Sequence, residues 1–226
     1  MVKASLLFQP EDRAAIARAV AEAEKGTAGE IVPVVATASD RYDRAEDTFG
    51  LWLAVAALAV IWELLQGVRP ATGDWEMGTE IALRLAPILT ILIVTWIVGV
   101  RLAARFPALK RLAASKREMR ARVEQRAALC FGLFRVGRTR EATGIVLYVS
   151  LFERMVCVRA DPNVSQKVEA SEWKEICEGM MKALREGRTR EAFTQAIARC
   201  GEVLGKHYPI KPDDTNELSN ELRIIE

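Results

Sequence analysis

The chain has 226 residues, of which 50% are hydrophobic and 27% charged, enough for one domain of ordinary size plus an apolar anchor. Its 32 basic and 30 acidic residues leave a net charge of +2, so the charge balance gives no argument for nucleic acid as a partner. With a single histidine, His207, His-based triads, multi-histidine metal sites and most imidazole general-base schemes are excluded.

The N-terminus carries no secretory leader pattern and passes directly into a charged helix. Pro10 followed by Glu11 and Asp12 is a helix start, because proline suits the first turn and acids suit the positive end of the dipole. Ile16, Ala19, Val20 and Ala23 recur at helical spacing until Gly26 and Gly29 end the run. The valine-rich stretch Ile31 to Ala36 predicts a buried strand, with Pro33 pointing to an edge position or an irregularity.

Two apolar segments follow, from about Phe49 to Val68 and from about Leu85 to Ala104, each near the ~20 residues that a bilayer core demands. Glu63 lies near the far end of the first, and Trp52, Trp62 and Trp75 suit headgroup depth. The connecting loop, Arg69 to Arg84, carries Asp74, Glu76 and Glu80. The stretch beyond the second segment is strongly basic, with Arg101, Arg105, Lys110, Arg111, Lys116, Arg117, Arg120, Arg122 and Arg126. The positive-inside rule then predicts a protein of the cell (inner) membrane with two spans and both termini cytoplasmic. The lipid bilayer is the expected partner, with other membrane proteins next. The basic stretch also suits anionic headgroups.

A helix is predicted over about Leu109 to Phe134, with Leu112, Met119, Val123, Ala127, Cys130 and Phe134 on one stripe. Gly144 to Ser150 and Arg154 to Arg159 read as a strand hairpin, and Asp161-Pro162-Asn163 as a turn. The faces Trp173, Ile176, Cys177, Met180, Met181, Leu184 and Phe193, Ala196, Ile197, Cys200, Leu204 predict two helices packed antiparallel on a sheet, with Gly187 between them. The tail after His207 is expected to be irregular, with a short apolar end at Ile224-Ile225. The four cysteines form no CxxC pair and sit at apolar positions, as buried thiols do. Gly-Arg-Thr-Arg-Glu-Ala occurs twice, at Gly137–Ala142 and Gly187–Ala192. A strand follows the first copy and a helix the second, so it is no domain repeat. An arginine-rich phosphate site is one reading of it.

No Cys-x5-Arg loop, phosphate loop or aspartyl-phosphate motif is present. What remains are oxygen-bearing side chains at element ends: Glu30, Asp40, Asp43, Asp161, Asn163, Asp213, Asp214, Asn216 and Glu217. Gathered by folding, some of them would suit a hard cation such as calcium or magnesium. Left apart, they are caps and turn formers.

Three pieces of the chain resemble the TPM domain family: Gly29-Glu30-Ile31-Val32-Pro33-Val34-Val35, the stretch Thr143 to Asp161, and the helix pair from Trp173 to His207-Tyr208-Pro209. The resemblance implies an α/β fold with a small mixed sheet packed between helices and the two-helix transmembrane hairpin inserted within it. The corresponding division is 1–48 and 106–210 for the two parts of the domain, 49–105 for the hairpin and 211–226 for a polar tail. A phosphatase label and cation binding accompany the family, and the matching acids here are Glu30 and Asp161. Three functions follow as expectations: a membrane-anchored accessory or interaction domain, a metal-assisted phosphatase-like hydrolase, and an anionic-lipid-sensing regulatory domain.

Overall fold

The computed structural model describes residues 3–66 and 85–226. In chain order its elements are α1 (Ala4–Leu7), α2 (Pro10–Glu24), β1 (Ile31–Ala36), α3 (Asp43–Gln66), α4 (Leu85–Arg105), α5 (Pro107–Ala113) and α6 (Lys116–Leu133). A 3-10 turn (Val136–Arg138), β2 (Ile145–Ser150), β3 (Met155–Ala160), α7 (Pro162–Lys167), α8 (Ala170–Arg185), α9 (Thr189–His207) and β4 (Arg223–Ile225) complete it. The loop expected between the apolar segments, with Trp75 and its three acids, lies outside the described residues. The chain divides into two compact units, one of Met1–Asp40 with Lys116–Glu226 and one of Arg41–Ser115.

The first unit is a four-stranded mixed sheet in the order β3-β2-β1-β4. β1 runs parallel to both β2 and β4, while β2 and β3 form an antiparallel hairpin. Side chains alternate across the pleat. Ile31, Val35, Ile145, Leu147 and Val149 face a core closed by α2, α8 and α9, with Ile16, Val20, Phe193, Ile197 and Leu204 fully buried in it. Val32, Val34, Val146 and Tyr148 face the opposite core, closed by α6 through Val123, Ala127 and Cys130. Both faces of β1 and β2 are therefore dry, which is why these strands read as continuous apolar runs.

Pro33 sits inside the sheet without cost to the ladder. Ile145 N–H reaches Glu30 O on one side of β1, and Thr37 N–H reaches Ile225 O on the other. The absent N–H of Pro33 falls on the β4 side, and β4 pairs only from Val34 onward. Gly144 enters β2 where a Cβ would overlap the Val136 carbonyl oxygen, so the 3-10 turn packs directly on the strand entrance. At the α2–α9 crossing a Cβ on Gly201 would come within 2.8 Å of the Ala23 Cβ. Gly187, at φ +77°, ends α8 with Arg188 N–H on Ala183 O at 3.0 Å.

Three expectations are corrected. The tail is not irregular to its end: Arg223–Ile225 adds a strand, its two isoleucines extending the apolar sheet edge. Asp161-Pro162-Asn163 is not a turn but the start of α7, with Asp161 as N-cap accepting from Asn163 N–H at 3.0 Å and proline in the first turn. The long helix breaks after Ala113 and restarts at Lys116, where Ser115-x-x-Glu118 spells a capping box. Leu112 falls off the stripe and is exposed, whereas Met119, Val123, Ala127 and Cys130 are buried.

The second unit is a helical hairpin. Gly50, near the start of α3, meets Gly99 and Trp96, near the end of α4, so the helices run antiparallel. A Cβ on Gly99 would lie 2.7 Å from the Gly50 Cα, and Ala54 and Ala103, four residues beyond each glycine, are buried. This small-xxx-small pairing on both helices is the close approach that membrane helices use. α5 folds against α3, with Lys110 bonded to the Arg41 carbonyl at 2.9 Å and ion-paired with Glu46. Both helices are long and apolar enough to cross a membrane, and only 11% of each apolar window is buried, unlike the core helix of a soluble domain.

Gly144→Ala is expected to lower stability by about 1–3 kcal/mol through overlap with the Val136 backbone. Gly132→Ala, at a helical site where a Cβ meets nothing within 4 Å, is expected to raise it by about 0.5–1 kcal/mol. Thermal unfolding of both variants in mild detergent checks the opposite signs.

Candidate functional site

Most of the acids named from sequence gather at the edge where β1 and β2 begin and β3 ends. Glu30 directly precedes β1 and Asp161 directly follows β3. Both are even with the α6 face of the sheet by strand alternation. Between them stands the entrance of β2: Ile145 N–H donates to Glu30 O at 2.8 Å, and Asp161 N–H to Gly144 O at 3.0 Å. Two strand spacings separate their backbones, roughly 10 Å. Val136 covers Gly144 between them, and a Cβ on Gly137 would lie 3.4 Å from Asp161 Oδ2.

Each of these carboxylates already carries backbone donors. Glu30, 6% exposed, accepts from Glu217 N–H at 3.0 Å and from Leu218 N–H at 3.2 Å. It thereby pins the tail segment that leads into β4. Glu217 in turn accepts Arg140 N–H at 2.9 and 3.1 Å, and Asp213 pairs with the Arg140 guanidinium at 2.9 Å. Asn216 bonds Asn220, and the Asn163 carbonyl accepts the Tyr208 hydroxyl at 2.7 Å. Asp40 stands at the opposite sheet edge, where it pairs with Arg122 at 2.9 Å, and Asp43 opens α3 in the other unit. Among the described residues, no three His, Cys, Asp or Glu side chains stand close enough together to hold a metal ion.

Sequence reasoning missed Glu24. It ends α2, a position that reads as an ordinary solvated helix residue, yet its Oε1 accepts Ile31 N–H at 2.9 Å and its Oε2 is buried without a partner among the described residues. Burial pushes its carboxyl up to about 8, the Ile31 bond opposing and the nearby Glu30 reinforcing the rise. Glu30 is also raised, by burial first, against the two backbone donors that hold it. Glu24 and Glu30, with Asp214 close enough to repel both, form an acidic pair whose proton affinity burial raises.

A second polar group, also missed, lies at the carboxyl ends of β1 and β2. Glu153, 4% exposed, accepts the Ser150 hydroxyl and Ser39 N–H at 2.8 Å. The Ser39 hydroxyl meets the Tyr148 phenol at 3.0 Å. Burial drives that phenol up to about 12, which keeps it protonated as a hydrogen-bonding group. The sequence signal was the Ser150-x-x-Glu153 spacing across a four-residue hairpin turn. This network locks the β1 exit to the β2–β3 turn.

The raised Glu24 carboxyl fixes the sign of a pH effect. A folded-state value above the unfolded one gives stability that is complete below about pH 4.5 and lost as pH rises through about 8. Glu24→Gln keeps an acceptor for Ile31 N–H and removes the charge. It is expected to flatten the fall in melting temperature between pH 5 and 8. At pH 8 it should raise that temperature by more than about 2 °C, the shift that ~1 kcal/mol produces in a chain of this size. Parallel melting profiles for the two proteins would refute the assignment.

The comparisons with known proteins fit this architecture. The family model of the TPM domain matches residues 112–203, which run from the end of α5 through α6, the β2–β3 hairpin, α7 and α8 to most of α9. No curated protein matches the sequence. Among solved structures, the NMR structure of the BA42 protein from the psychrophilic bacterium Bizionia argentinensis superposes with a TM-score of 0.56 at 16% identity, covering 99% of this chain and 99% of that one. At that identity the likeness is one of fold, and the fold is the mixed α/β sheet expected from the sequence. Residues 112–203 therefore match the TPM domain in sequence, and the chain as a whole matches a solved protein in fold.

Proposed function

We propose that the protein is a membrane-anchored TPM domain that acts by binding, as an accessory or interaction module. The observation that carries this reading is the engagement of its acids: Glu30 holds two backbone N–H groups of the tail, and Asp161 caps α7. These carboxylates do structural work that a cation would have to displace. The anchor is α3 with α4, whose apolar surface faces outward around the Gly50–Gly99 contact. The partners in this reading are the lipid bilayer and other membrane proteins, and the basic stretch after Arg101 supports a topology with both chain ends on the cytoplasmic side.

A metal-assisted phosphatase-like hydrolase is the second reading. The matching family model bears a phosphatase label, and Glu24, pushed up to about 8, supplies a carboxyl that keeps its proton at neutral pH, the state a general acid needs. In that reading Glu30 and Asp161 would be the residues to hold calcium or magnesium, with the tail released from Glu30, and the ion would supply Lewis-acid activation of a phosphoryl group.

The expected outcome for the full-length protein is that it stays with membranes through alkaline carbonate extraction. Phosphate-ester hydrolysis with calcium, magnesium or chelator is expected not to exceed that of Asp161→Ala. Release into the carbonate supernatant would sink the anchor, and cation-dependent turnover lost in the variant would establish the second reading instead.

A further inference from the structure

One cleft in the sheet-bearing unit has features that none of the roles above uses. It has a volume of about 520 Å³ and opens beside the end of β2, between the β2–β3 turn and the α8–α9 junction. That volume is within the usual range for small-molecule sites, and in open α/β sheets the carboxyl ends of parallel strands are where ligands bind. Its walls are apolar, formed by Leu7, Leu151, Met181 and Leu184. Two arginines, Arg154 and Arg185, line it as well, and neither has an ion pair or hydrogen-bond partner among the described residues.

The acids nearest in sequence do not neutralise them. Glu186 and Glu191 are both held by Arg188, the latter at 3.1 Å, and Glu153 is closed off by Ser150 and Ser39. Thr189, in the second copy of the Gly-Arg-Thr-Arg-Glu-Ala sequence, lines the same cleft and adds a hydroxyl. Arg154 holds φ at 54°, a conformation that favours glycine, so the turn carries a guanidinium where the backbone alone would select no side chain.

We propose that this cleft binds a small anionic amphiphile, its carboxylate held between Arg154 and Arg185 and its apolar chain lying along Leu7, Leu151, Met181 and Leu184. Two guanidinium forks match the two oxygens of a carboxylate. The apolar remainder of the wall offers few further donors, which suits a carboxylate with a hydrocarbon tail better than a phosphate with three oxygens to satisfy. A medium-chain fatty acid is the simplest ligand of this class. The inference is independent of the accessory-domain reading, since neither the acids of that reading nor the anchor contributes to the cleft.

The test is calorimetric titration of the full-length protein in neutral-detergent micelles, after subtraction of a protein-free micelle blank. The probes are octanoate, octanol and inorganic phosphate, each well below self-association. Octanoate is expected to saturate one site and to bind at least ~10-fold more tightly than octanol, a factor that one charge-assisted contact supplies. The double variant Arg154→Gly with Arg185→Ala is designed to fold: glycine relaxes the left-handed turn and alanine favours the helix. It should lose octanoate binding by ~10-fold or more, while Arg199→Ala with Lys174→Ala, an equal loss of two charges at residues that do not line the cleft, should not. Unchanged octanoate binding in the double variant would overturn the proposal. So would octanol binding as tightly as octanoate, or displacement of octanoate by inorganic phosphate.

Discussion

The fold depends on the parallel pairing of β1 with β2, six residues against six in unbroken register from Ile31↔Ile145 to Ala36↔Ser150. Among the described strands these two alone are buried on both faces, and every layer of the first unit packs on one of them. They are also separated in sequence by the whole second unit, so a long crossover must close before their contacts are gained. Within the second unit, α3 and α4 run antiparallel, so the long connection is itself folded. The hairpin in turn depends on the Gly50–Gly99 approach, where no side chain fits.

The entrance edge of the sheet shows how acids are used in this domain. Glu24, Glu30 and Asp161 each accept a backbone N–H that no strand or helix partner satisfies: those of Ile31, of Glu217 and Leu218, and of Asn163. Carboxylates are strong acceptors for such orphans, at the cost of burying charge. For Glu24 and Glu30 the cost shows as raised proton affinity, because two carboxyls share a poorly solvated edge with Asp214 near both. The tail is thus held by a carboxyl whose proton affinity burial raises, while the far edge is held by the Glu153 network of serines and a protonated tyrosine.

The sequence was most legible where burial is two-sided or periodic. The valine run of β1, the hairpin of β2 and β3, the pair α8 and α9 and the two apolar helices all follow from apolar spacing alone. Less legible were elements that rest on one capping residue or on a distant partner. Asp161 with Pro162 reads equally as a turn or as a helix start, and only the α7 backbone decides. Three residues at β4 carry no periodicity, and they become a strand because β1 presents an open edge beside Pro33. Of the site residues, Glu30 and Asp161 were visible as acids at strand ends. That the Val136–Gly137 turn would sit between them was not, since it follows from the missing Cβ of Gly144. Glu24 was hidden because its burial comes from the tail, nearly the whole chain away.

An antiparallel hairpin inserted between two paired strands has a modular consequence. Lengthening α3 and α4 by equal amounts beyond the Gly50–Gly99 seam leaves their other ends, Asp43 and Arg105, in the same register with each other. The β1–β2 register, set by Ile31↔Ile145 through Ala36↔Ser150, lies wholly within the first unit. The reverse also holds: substitutions in the domain leave the helix pair intact, since the Gly50–Gly99 seam lies wholly within the second unit. The apolar hairpin and the sheet-bearing unit are joined in sequence yet free to diverge separately.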